Sequence, residues 1–136
     1  MKSYLIRFGI IAVLFLGLDA VWLSQTQEIL YRRYLPGILL DGFRLLPALL
    51  FYILYVAGIM VFVVEPADVS GRISTAAKRG AFFGLVAYGT YDLSNQATLS
   101  AWSSVVTAAD MAWGTVATGL AASIGFILTR GLFSAK

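Results

Sequence analysis

Residues 45–64 read LLPALLFYILYVAGIMVFVV, twenty residues without a charged side chain. A helix of that length rises about 30 Å, the thickness of a bilayer's hydrocarbon core. Lipid offers no hydrogen bonds to a backbone, so a spanning segment must be a helix or a strand of a closed barrel. The alternating ten-residue pattern of barrel strands is not visible in this chain. The stretch therefore predicts a transmembrane helix.

Outward from it, three further apolar stretches of similar length cover residues 4–24, 76–98 and 105–128. Composition points the same way. The chain has 136 residues, 60% hydrophobic and 12% charged, against about a quarter charged in soluble domains. The expected fold is an all-α integral membrane four-helix bundle, with residues 1–136 as a single transmembrane domain. Lys2 and Arg7 before an apolar run fit a cleavable leader. Asp19, standing where a small-residue cleavage motif belongs, argues against one, and the first span is read as retained.

The connections are short. Residues 28–44 hold Tyr31, Arg32, Arg33, Tyr34 and Pro36, an interfacial composition that either extends the first helix or lies along the surface. Glu65-Pro66 predicts the end of the second helix, and Gly71 continues that loop. Lysine and arginine are unevenly shared. Lys2, Arg7, Arg72, Lys78, Arg79, Arg130 and Lys136 fall on one side, and Arg32, Arg33 and Arg44 on the other. The positive-inside rule then puts both termini in the cytoplasm, for a multi-pass protein of a bacterial inner membrane.

Cysteine and histidine are absent. This excludes disulfides, thiolate nucleophiles, imidazole bases and Cys/His metal sites. No nucleotide loop, zinc motif or hydrolase elbow occurs. The net charge of +3 is dispersed among apolar spans, which fits membrane orientation and not nucleic-acid binding. The sequence names no catalytic residue, no metal ligand set and no cofactor.

Three acids are costly. Asp19, Asp92 and Asp110 lie inside expected spans, where each costs roughly 2.5–3.5 kcal/mol at the bilayer centre. The alternating helix directions place all three in the outer half of the membrane. Tyr88, Tyr91, Asp92 and Asn95 share one helical face, Asp19 shares one with Trp22, and Asp110 shares one with Trp113. Arg44 starts the second helix at the same level and is a candidate ion-pair partner. These nine residues form the candidate binding cluster. Read structurally, the same acids are packing glue across helices, at ~0.6 kcal/mol each, and the rings are an aromatic belt. A second pattern is a stripe of small residues: Gly80 and Gly84 after Ala76, then Gly114, Ala117 and Ala121 on the last helix. Such stripes let backbones approach closely, within the bundle or against a partner helix. Asp19-Ala20-Val21-Trp22 and Asp110-Met111-Ala112-Trp113 match on helices of opposite direction, as an inverted repeat or by chance.

At these residues the chain resembles a family of small bacterial membrane proteins classed as a domain of unknown function, DUF2177. The resembling segments are Asp19 to Leu23, Phe51 to Tyr55, Tyr88 to Leu99, and Asp110 to Gly114. The run Tyr91-Asp92-Leu93, Asn95 and Ala97-Thr98-Leu99 is the most specific. Ser94 stands where the family often has threonine. The resemblance covers nearly the whole chain and implies four helices with the same polar residues. It implies no activity.

Two functional readings follow. One is a non-enzymatic accessory or assembly subunit, packed against a larger respiratory or photosynthetic complex or its lipids and quinone. Its partners would be the bilayer and another membrane protein or a second copy of the chain. The other is a binding or transport site for a proton, a cation or a polar lipid headgroup, built on the outer-half aspartates. An enzyme acting on lipid has thin support without histidine, cysteine or a nearby lysine.

Overall fold

A computed structural model describes residues 2–133; Lys136, counted above on the basic side, lies outside them. Among the described residues all regular structure is helical. Helix α1 covers Lys2–Thr26 and passes into a π-helical turn, Gln27–Arg32. Helix α2 covers Leu45–Ile59, followed by a second π-helical turn, Met60–Val64, and a short α3, Glu65–Ser70. Helix α4 covers Ile73–Thr98 and α5 covers Ser104–Phe133. Three continuous helical stretches are long and apolar enough to cross a membrane: Lys2–Arg32, Leu45–Ser70 and Ser104–Leu132. Helix α4 is not among them. It carries Lys78, Arg79, Asp92 and Asn95 together with several hydroxyl side chains.

The expected helix end at Glu65-Pro66 is corrected by the structure. The helix runs through Pro66 to Ser70 and stops at Gly71, whose left-handed φ of 64° closes it. Proline inside a helix lacks an amide and crowds the carbonyl four residues back. The π-helical turn just before Pro66 absorbs the mismatch, with the Glu65 amide bonding the Met60 carbonyl. The carbonyl four residues back belongs to Phe62, and Arg79 donates to it at 3.3 Å. A side chain from α4 thus supplies the donor that proline cannot. Of the interfacial stretch 28–44, the first part extends the first helix, which continues helically to residue 34, and the rest up to Arg44 is turns and irregular chain.

Cross-links at one end show how the helices alternate. Arg7 near the start of α1 pairs with Asp68 in α3. Arg130 near the end of α5 donates to the Gly71 carbonyl between α3 and α4. The core lies between α1, α2 and α5: Ile11 and Phe15 pack with Val56, Ile59, Met60 and Val63, and with Ala117 and Ala121. Apolar side chains on the outside are exposed on every long helix, among them Leu5 and Val13, Leu50 and Leu54, Phe82 and Val86, and Leu120 and Ile127.

The longest seam joins α4 to α5. A Cβ built on Gly84 would sit 2.0 Å from the Gly114 carbonyl oxygen, and one on Gly80 would sit 2.9 Å from the Thr118 carbonyl. A Cβ on Gly114 would enter the Tyr88 ring at 2.3 Å. The backbones therefore touch, which only glycine permits. Gly84→Ala is expected to force the helices apart and cost about 1–3 kcal/mol. Gly9→Ala, with nothing within 4 Å, is expected to leave stability unchanged or slightly raised. Thermal melts of the two variants in one detergent decide it; equal midpoints would refute the close seam.

Candidate functional site

Two of the three costly acids meet in one cavity. Asp19 of α1 and Asp110 of α5 are each 7% exposed. Both line a cavity of about 390 Å³ together with Tyr31, Phe51, Tyr55, Tyr88 and Tyr91. The antiparallel run of α1 and α5 brings them there: Asp19 is late in one helix and Asp110 early in the other.

Each carboxylate takes its donors from elsewhere in the chain. The Trp113 indole donates to Asp19 Oδ1 at 3.2 Å, and the Tyr52 hydroxyl donates to Asp19 Oδ2. The Tyr31 hydroxyl donates to Asp110 Oδ1. The Trp22 indole in turn donates to the Tyr31 oxygen at 2.9 Å. The two matched Asp-x-x-Trp segments are therefore crossed. The tryptophan of the second holds the acid of the first, and the tryptophan of the first reaches the acid of the second through Tyr31. The two indoles stack at 4.6 Å with their planes 7° apart, a geometry favoured by aromatic pairs when offset.

Tyr55 hydrogen-bonds Thr118 of α5 at 2.7 Å. It also stands at the centre of a ring cluster, 4.7 Å from Phe15, 5.3 Å from Phe51 and 6.1 Å from Tyr88. These contacts fix the cavity's inner wall. Two polar atoms are left over there. Among the described residues nothing donates to Asp110 Oδ2, and the Tyr88 hydroxyl has no hydrogen-bond partner.

Asp110, Tyr31, Leu23 and Tyr91 also line a second, wider cavity of about 820 Å³. Its other walls come from the α1 extension, the stretch up to Arg44 and the start of α2, with Gln27, Arg32, Asp41 and Arg44 among them, and from Trp102 between α4 and α5. The two chambers adjoin at Tyr31 and Asp110.

The remaining sequence candidates fall as follows. Asp92 is fully buried on α4 and lines neither chamber, and its carboxylate oxygens have no hydrogen-bond partner among the described residues. Asn95 is half-buried one turn later and also lines neither. Arg44 is exposed, lines the outer chamber, and makes no ion pair with any aspartate, against the pairing expected of it. Its place at the N-terminal end of α2 points it to the wide chamber, one wall away from Asp19. Among the described residues no three carboxylates converge in a metal-holding group. Tyr31 and Tyr52 were the donors sequence reasoning missed; the signal available was a tyrosine in an interfacial stretch and one in an otherwise uncharged span.

Fold and site together define an all-helical membrane protein with an acid–aromatic cavity inside its bundle. The chain belongs to the family described as "Predicted membrane protein (DUF2177)", which matches residues 4–127. No curated protein and no solved structure matches it.

Donor loss and carboxyl loss should act in opposite directions here. Tyr52→Phe removes one donor from a buried carboxylate and is expected to lower stability by about 0.6–2 kcal/mol. Asp92→Asn replaces a buried carboxyl that no donor among the described residues serves and is expected to leave stability unchanged or raised. Denaturation midpoints of the two variants in the same detergent check this, and a large loss for Asp92→Asn would overturn it.

Proposed function

We propose that this is a multi-pass protein of a bacterial inner membrane that binds a cationic group in the cavity between Asp19 and Asp110. In this reading α4 is the fourth span, both termini are cytoplasmic, and the cavity opens in the outer half of the bilayer. The polar content of α4 is compatible with lipid because its hydroxyls bond back along the helix. Thr90 donates to the Val86 carbonyl at 2.7 Å, Thr98 to that of Ser94 at 2.8 Å, and Ser94 to that of Thr90.

One observation carries the reading: Asp110 is 7% exposed, lines both chambers, and keeps one carboxylate oxygen that no group among the described residues donates to. A buried acceptor left open to a cavity is a place for a ligand donor. The tyrosine faces around it are suited to a cation as well. An accessory-subunit role calls for one preferred docking face. The exposed apolar residues are instead spread over all the long helices, which speaks for lipid on every side.

The test is a thermal shift on the full chain in a maltoside detergent, with dodecyltrimethylammonium as the probe. At about a hundredfold excess over Kd, binding adds about 2.7 kcal/mol, several degrees in Tm. Asp110→Asn is expected to lose most of that shift while folding normally. A shift of equal size in the variant, or none in the wild type, would remove the cation-site reading.

A further inference from the structure

We infer that the ligand is a zwitterionic phospholipid headgroup, with its ammonium in the inner cavity against Asp110 and its phosphate in the outer chamber at Arg44. This rests on the cation-site reading above and names the ligand class for it.

The two chambers differ in charge. The inner cavity has the carboxylates Asp19 and Asp110 in its walls and no basic residue. The outer chamber is mixed: it shares Asp110, adds Asp41, and brings in both basic residues, Arg32 and Arg44. Arg32 is already held by Glu28 at 3.0 Å. Among the described residues Arg44 has no ion-pair partner, and it precedes the first turn of α2 without a side-chain cap on that turn. Pro47 has no amide and that of Ala48 bonds the Arg44 carbonyl at 3.3 Å, so the Arg44 guanidinium is the main positive group there, and a guanidinium favours an anion. Asp110 belongs to both chambers, so a ligand with adjacent positive and negative groups can satisfy both at once. A simple cation would use only half of this arrangement.

The inner end suits an organic ammonium better than a metal ion. Among the described residues the carboxylates do not form a metal-holding set, while tyrosine rings and an open Asp110 oxygen are what an alkylated or primary ammonium uses. The outer end suits a lipid better than a free headgroup. Leu40 and Phe43, which line the outer chamber, are 54% and 80% exposed and offer apolar contact to acyl chains at its mouth.

The experiment is lipid retention. Full-length protein is reconstituted in vesicles of equal parts phosphatidylethanolamine and phosphatidylglycerol, extracted gently, and weighed by native mass spectrometry. Enrichment of phosphatidylethanolamine of about tenfold is expected for the wild type. Arg44→Gln is expected to lose that enrichment yet keep the thermal shift with dodecyltrimethylammonium, which has no phosphate. Asp110→Asn is expected to lose both. Equal retention of the two lipids by a wild type that still responds to dodecyltrimethylammonium would overturn this inference and leave the cation site standing. Absence of both responses would remove the two together. Displacement of the retained lipid by water-soluble phosphoethanolamine at similar concentration would overturn the lipid assignment; weak competition supports it.

Discussion

A carboxylate in an apolar bundle must find donors within the protein, and Asp19 and Asp110 find theirs on other helices. Trp113 crosses from α5 to Asp19, and Tyr52 comes to the same acid from α2. Trp22 and Tyr31 run the other way to Asp110. Because each acid depends on a distant ring, α1, α2 and α5 cannot slide or rotate independently without exposing a charge. The stacked indoles and the ring cluster around Tyr55 follow from that arrangement. The cavity is what remains between rings too large to close over the acids they serve.

The same demand for internal satisfaction shapes the opposite end. Pro66 withdraws a backbone donor from the second helical stretch, a π-helical turn takes up the strain, and Arg79 of α4 bonds the Phe62 carbonyl. Arg7 with Asp68 and Arg130 with the Gly71 carbonyl close the neighbouring ends. The basic residues at that end therefore tie helices together by their bonds. The glycine seam of α4 and α5 needs neither charge nor ring: it works by removing side chains until backbones meet.

Three helical stretches were legible as spans because apolar runs of bilayer length have few other uses; α4 was legible as a helix, but its charged and hydroxyl side chains keep it below the apolarity of the other three. Gly80, Gly84 and Gly114 were legible for a related reason, since small residues at fourfold spacing imply close approach; the structure sets Gly84 against Gly114, and Gly80 against Thr118 and Gly119. The costly acids could be picked out by type alone. Their partners could not. Tyr52 looks like any aromatic in an uncharged run, and Tyr31 like part of an interfacial belt; what distinguishes them is helix rotation, which one sequence does not encode visibly. Asp92 shows the converse. It carries the same sequence signal as Asp19 and Asp110, yet it turns away from their cavity. The proline was misread because the rule for a residue before proline is a rule about α-helices, and a π-helical turn sidesteps it.

The crossed bonds of Asp19 have a consequence in time. Its two donors lie 33 and 94 residues further along the chain. At a synthesis rate of about 5–20 residues per second, Trp113 emerges roughly 5–20 s after Asp19. The first helix therefore enters the membrane with an acid whose final partner does not yet exist. Tyr52 arrives much sooner and can hold one oxygen through the interval. On the assembly line of the ribosome, the tyrosine of the second helix is the temporary escort and the tryptophan of the last is the lock.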